Sequence, residues 1–107
     1  MAGTGKTKMI TTKTRGQKRL SNVPEEKVFW SRDGQIFKNL YELERGLNNM
    51  SDETYRYHAG EERNDFSSWV RDVIGDEPLA KSLVKASNRQ DAAMKVEERI
   101  HHYLAKE

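Results

Sequence analysis

The chain of 107 residues contains no cysteine. It therefore forms no disulfide, offers no thiolate to a metal ion and has no cysteine nucleophile. It also lacks an apolar run close to the roughly 20 residues that a membrane-spanning helix needs. The pair Met9-Ile10 is too short for the apolar region of a signal peptide. These absences predict a cytoplasmic protein with no membrane contact.

Acidic residues are missing from residues 1–24, whereas the rest of the chain holds all 17 acidic residues and 13 of the 19 basic ones. A polar segment rich in Gly and Thr buries too little apolar surface to offset its conformational entropy. We therefore predict a flexible basic arm over residues 1–24 and one small helical domain over residues 25–107. The arm carries six cations: Lys6, Lys8, Lys13, Arg15, Lys18 and Arg19.

The dipeptide Asp33-Gly34 stands between two short apolar runs and predicts a β-hairpin with a two-residue type I′ turn. Such a turn would pair Trp30 with Phe37 and direct both toward the core. Phe29 and Ile36 would then face outward, and we predict them as contacts for a protein partner. The alternative is that the arm or the C-terminal helix covers these two side chains.

Apolar residues recur at helical spacing in five stretches after the hairpin. Trp69 lies in the middle of the third stretch, which we expect to end at Gly75, and we predict it as a principal core residue. Gly46 weakens the prediction of the first helix slightly. The predicted fold is mainly α, a compact domain of four to five short helices with one N-terminal β-hairpin, preceded by a disordered basic arm. The expected helix caps are Asn39, Ser51, Asn64 or Asp65, and a capping box Ser87-x-x-Gln90. Asp76-Glu77-Pro78 is expected to open the fourth helix.

No group of residues has the pattern of a catalytic or cofactor site. Residues 3–7 resemble the end of a phosphate-binding loop, but its first glycine and leading strand are missing. The pair Glu98-x-x-His101 has the spacing of one helix of a di-iron bundle, of which two copies are needed. His58 is more typical of a hydrogen-bonded packing residue, and His101 and His102 of an exposed helix face. We therefore expect no metal, no cofactor and no enzymatic activity.

The basic arm predicts binding to a partner of opposite charge. Cations on a flexible segment neutralise phosphates and release counterions, which gives affinity without sequence preference. The expected function is a non-enzymatic binding module that takes up nucleic acid or another polyanion through the arm. The alternative is a protein-interaction or structural module that uses the hairpin. A helix-turn-helix contact with DNA is disfavoured because Asp76 and Glu77 begin the helix that would enter the groove.

Several short motifs lie between Val23 and Leu83: the Asp33-Gly34 hairpin, Met50-Ser51-Asp52-Glu53, Tyr57-His58 and NDFxxWVxDVIGDxxLA over residues 64–80. On these motifs the stretch resembles a small uncharacterised domain of archaeal and bacterial proteins, a domain of unknown function. The resemblance implies no activity or cofactor. It implies that His58, Asn64 and Asp65 occur together, either as a cap and hydrogen-bond network or as a ligand site.

Overall fold

The computed structural model describes residues 15–105. A short helix precedes a two-stranded hairpin, and five helices follow it, the third of which ends in a π-helical turn. The elements are α1 (Arg15–Leu20), a 3-10 turn (Glu25–Lys27), β1 (Phe29–Trp30), β2 (Ile36–Phe37), α2 (Leu40–Asn49), α3 (Asp52–His58), α4 (Asp65–Trp69) with its π-helical turn (Val70–Ile74), α5 (Glu77–Val84) and α6 (Arg89–Ala105).

The predicted fold class is confirmed, because helices and one antiparallel hairpin together enclose a single apolar core. Helix α2 packs along α6, and α5 packs against both α4 and α6. Ser67 ties α4 to α5, since its hydroxyl donates to the carbonyl of Ala80 at 2.7 Å. The hairpin lies over the aromatic end of this core.

The helix boundaries follow local capping. The side chains of Asn39, Ser51 and Asn64 each accept a first-turn backbone amide, as predicted. Asp76 opens α5 as expected, and its side chain also accepts such an amide. The predicted capping box at Ser87 and Gln90 is wrong by one residue. Asn88 accepts the amide of Asp91, and the carboxylate of Asp91 accepts the amide and the hydroxyl of Ser87. Asn88 is therefore the cap, and Asp91 in the first turn, where the helix dipole favours an acid, reaches back to Ser87, the residue before the cap.

The hairpin register differs from the prediction by one residue. Phe29 pairs with Phe37 and Trp30 with Ile36, so the loop between Ser31 and Gln35 has three residues. Gly34 has a φ of 93°, whereas no other residue of the described chain except Gly75 has positive φ. A type I′ turn needs positive φ at two positions, so the chain forms a type I turn that ends in a left-handed glycine instead.

This register exchanges the two faces of β1, whereas in β2 Phe37 faces the core and Ile36 faces outward as predicted. Phe29 and Phe37 are 7% and 3% exposed, whereas Trp30 is 68% exposed and Ile36 is also exposed. The prediction that Trp30 faces the core and that Phe29 faces a partner is therefore wrong. A shift of one residue moves every side chain of a strand to the opposite face.

Part of the predicted arm belongs to the folded unit. Residues 15–20 form α1, and Leu20 and Val23 pack against the core. The amide of Val23 donates to the carbonyl of Lys38 at 2.8 Å, which attaches the segment to the hairpin. The domain therefore begins before Glu25, because two apolar side chains outweigh the charge pattern around them. Residues 1–14 of the predicted arm lie outside the described residues.

Gly46 permits a close approach between α2 and the hairpin. A Cβ atom at this position would lie 2.2 Å from Cζ of Phe37, which is buried and stacked on Phe29. The glycine that weakens the helix on propensity is thus required for packing.

Gly46→Ala should destabilise the domain, although alanine is the better helix former by about 0.5–1 kcal/mol. Displacing the buried Phe37 ring should cost about 1–3 kcal/mol, measured as the free energy of unfolding in urea. Gly60→Ala is the control, because its Cβ would meet only the Arg63 carbonyl at 3.7 Å. A Gly46→Ala variant as stable as the parent would contradict this packing.

Trp69 is a core residue as predicted, and its indole Nε1 also donates to the carbonyl of Lys27 at 2.8 Å. Trp69→Ala should therefore cost about 3–5 kcal/mol. A domain of this size has about 5–15 kcal/mol in total, so the melting transition should shift strongly or disappear. A cooperative melt within a few degrees of the parent would refute the assignment.

Candidate interaction surface

The outward face of the hairpin exposes an aromatic and cationic surface. From Phe29 to Arg32 the side chains alternate between buried and exposed, so that Trp30 and Arg32 both point outward. The guanidinium carbon of Arg32 lies 4.3 Å from the centre of the Tyr57 ring on α3, and Tyr57 is itself exposed. We call Trp30, Arg32, Ile36 and Tyr57 the hairpin face.

The inner side of the hairpin fixes this face. The Phe29 ring stacks on Phe37 and Phe66 at centroid distances of 5.7 and 5.1 Å, and it meets Trp69 edge-on at 5.9 Å. Ring contacts of this kind contribute about 0.5–1.5 kcal/mol each beyond their buried area. Phe29 is thus an anchor of the core, and Trp30 beside it is held toward solvent.

His58 joins the hairpin loop to two helices. Its Nε2 accepts the backbone amide of Arg32 at 3.0 Å, and its Nδ1 lies 2.9 Å from a carboxylate oxygen of Asp65. Because Nε2 accepts, the ring proton is on Nδ1 and is donated to Asp65. Asp65 also pairs with Arg63 at 3.1 Å. The predicted packing role of His58 is confirmed, and no functional ligand is needed to explain it.

Ser31, His58 and Asp65 together have the residue types of a nucleophilic triad, but their geometry does not allow that chemistry. The lone pair of His58 Nε2, which would take the serine proton, is already used by the Arg32 amide. Both Ser31 and His58 are buried. Ser31 Oγ is the buried side-chain oxygen that lacks a hydrogen-bond partner within residues 15–105. A base bound to a backbone amide does not activate a hydroxyl.

A second polar cluster surrounds Asp76, which is 0% exposed. Its carboxylate accepts three hydrogen bonds: from Arg99 Nε at 2.8 Å, from the hydroxyl of Tyr103, and from the amide of Leu79 at 3.1 Å. The Tyr103 hydroxyl in turn accepts a hydrogen bond from a guanidinium nitrogen of Arg19 at 3.1 Å. The cluster thus joins α1, α5 and α6. Of the two acids that argue against DNA reading by α5, Asp76 is buried and paired with Arg99, and Glu77 is the one that presents its charge to solvent.

The structure separates the predicted polyanion-binding residues into groups. Lys18 is exposed and makes no ion pair with another described residue, whereas Arg19 contacts Tyr103. Arg15 belongs to α1. Lys6, Lys8 and Lys13 lie outside the described residues. Arg19 thus serves the fold, and Lys18 is open to solvent.

The exposed histidines and acids do not gather into a metal site. Glu98, His101 and His102 are exposed on α6, and no group of three His, Asp or Glu side chains within residues 15–105 is placed to hold a metal ion.

None of the helices in the described range combines the length and apolar character needed to cross a bilayer.

Comparisons with protein-family models, with curated proteins and with solved structures found no match for this chain. The resemblance to an uncharacterised prokaryotic domain therefore stays a prediction. What it implied about His58, Asn64 and Asp65 can be compared with the geometry directly. Asn64 caps α4, and His58 is hydrogen-bonded to Asp65, as in the cap and hydrogen-bond network that was one of the two alternatives.

The Asp76 cluster predicts how stability depends on pH. Burial raises the pKa of Asp76, but the hydrogen bonds from Arg99, Tyr103 and the Leu79 amide outweigh burial, and the pKa lies below its ordinary value. The stabilisation is therefore complete above the unfolded-state pKa of about 3.9 and is lost as the pH falls through the lower folded-state pKa.

Asp76→Asn should remove the acid-sensitive stabilisation. It should lower the free energy of unfolding by roughly 3 kcal/mol at neutral pH, because Arg99 loses its buried partner. Thermal melts of parent and variant between acidic and neutral pH measure both effects. Asp72→Asn is the control, since Asp72 pairs with Arg71 on the surface. Equal melting temperatures for the two variants at neutral pH would contradict the role assigned to Asp76.

Proposed function

We propose that this chain is a non-enzymatic binding module that takes up nucleic acid or another polyanion, without sequence preference, through the cations of residues 1–24. The observation that carries the proposal is the separation of charge along the chain. Six cations and no acid precede residue 25, while all 17 acidic residues lie from Glu25 onward. A polyanion meets attraction at this segment and overall repulsion from the rest of the chain.

The fold supports this assignment in two ways. The first is that the described end of the segment is attached to the domain: Arg19 of α1 contacts Tyr103, and Val23, which follows α1, donates its amide to the Lys38 carbonyl. The second is that Lys18 points outward from α1 and makes no ion pair with a described residue. We assign Lys18 to the polyanion together with Arg15 and with Lys6, Lys8 and Lys13, which lie outside the described residues.

We propose no catalytic role because of the hydrogen bonds that His58 makes. It is the histidine that the described fold places against an acid, and both of its ring nitrogens are used in hydrogen bonds that hold the hairpin loop. His101 and His102 are solvated on α6. The polar side chains that the fold brings together thus serve capping and packing.

The second candidate function is a protein-interaction module, which the exposure of Trp30 favours. Trp30 and Ile36 are directly paired across the two strands and both lie on the outside. Aromatic side chains are enriched at the centres of protein interfaces. In this alternative the basic segment has no binding role, so deletion of the segment separates the two functions.

Binding of the full chain to a labelled DNA duplex should weaken steeply with salt. Five engaged cations predict a log–log slope of about −4.5, with little dependence on sequence, measured by fluorescence anisotropy. Changing the five to Gln should abolish most of the binding. These five are Lys6, Lys8, Lys13, Arg15 and Lys18.

The matched control changes five exposed cations outside the segment, which alters net charge by the same amount. Equal loss of affinity in both variants would show a general charge effect and contradict the proposal. Unchanged binding after substitution of the segment would contradict it as well. The control residues are Lys27, Arg45, Arg56, Lys81 and Lys85.

A further inference from the structure

Trp30 is exposed at a position that the fold defines closely. The strand pair sets Trp30 opposite Ile36, the Ser31 amide donates to Gln35 at 2.9 Å, and the Phe29 ring beside it is locked in the core. Its indole is thus carried on a fixed backbone with 68% of its surface in water. Burial of a large aromatic side chain is favourable, and the fold leaves most of the Trp30 surface in water.

A cation lies on the same face. Arg32 follows Trp30 by two residues and also points outward, and its guanidinium lies over the exposed ring of Tyr57. Exposed aromatic rings beside Arg are the means by which proteins bind unpaired nucleotides, because every base has a π-face that stacks and every phosphate attracts the cation. The acid-free segment of residues 1–24 joins this hairpin in sequence and supplies further charge.

The size of the face favours a base over a protein. Stable protein interfaces bury roughly 1,000 Å² or more, with several anchors in a well-packed centre. Around Trp30 the hairpin adds Ile36 as the one aliphatic neighbour among the described residues of its outward face. Even with Tyr57, whose ring has the Arg32 guanidinium over it, these side chains are few for such an interface, whereas stacking of one base needs a single accessible ring.

We infer that Trp30 is a stacking platform for an unpaired base, so that the polyanion of the proposed function is single-stranded nucleic acid. The inference rests on that function, since the cations of residues 1–24 provide the charge-dependent part of the affinity. Trp30 adds a contribution that does not depend on salt and that a duplex, whose bases are already stacked, does not receive.

The test uses the full chain and a labelled oligothymidylate of about 20 nucleotides, with a duplex of similar length as the second probe. Trp30→Ala should weaken binding to the single strand by about 5- to 150-fold and leave the salt slope and the duplex affinity unchanged. Trp30→Phe should restore most of the affinity, because phenylalanine also stacks. Tyr41→Ala, which removes an exposed aromatic from α2, is the matched control and should have no effect.

The outcomes distinguish this inference from the proposed function. If the charge-substituted variant loses binding while Trp30→Ala binds the single strand as tightly as the parent, the stacking role is wrong and the electrostatic function stands. If the parent binds neither probe, both fail. If Trp30→Ala changes only the sedimentation of the chain, from an associated to a monomeric form, Trp30 is a protein contact and the inference is overturned. Thermal melts should show both alanine variants folded.

Discussion

The buried carboxylate of Asp76 is the constraint on which the arrangement of helices depends. A charge removed from water requires several donors, and here they come from two elements: the Leu79 amide of α5, and Arg99 and Tyr103 of α6. Arg19 of α1 donates in turn to the Tyr103 hydroxyl. The hydrogen bonds to the Asp76 carboxylate set the start of α5 and the rotation of α6. They also give α1 a fixed place against the domain, which is how a basic helix with few apolar residues comes to be folded.

The surface that the domain offers to a partner follows from a similar local requirement in the hairpin. Gly34 takes the left-handed conformation after a type I turn, and the resulting three-residue loop sets the register. His58 accepts the Arg32 amide and holds the loop down. With that register Phe29 enters the aromatic cluster and Trp30 must face solvent. The candidate binding residue is thus a consequence of turn geometry and of one histidine.

Much of the fold is predictable from sequence because its signals are local. Helical spacing, side-chain caps such as Ser51 and Asp76, and Gly75 at a helix end indicate the helices without any tertiary information. The hairpin register is not fixed in this way, since Asp33-Gly34 suits both a two-residue and a three-residue loop, and the burial of Phe29 decides between them. The Asp76 cluster and the place of α1 depend on contacts between residues as distant as Arg19 and Tyr103. The charge pattern alone places Arg19 in the arm, because it carries no information about the contact with Tyr103.

Acrylamide quenching of tryptophan fluorescence tests the hairpin register, which exposes Trp30. The chain has two tryptophans, and the fold places them in opposite environments. We expect one readily quenched component from Trp30 and one protected component from Trp69. Trp30→Phe should remove the quenched component and leave the protected one. If both tryptophans are protected in the parent chain, Trp30 lies in the core, the observed register is wrong, and the hairpin face does not exist.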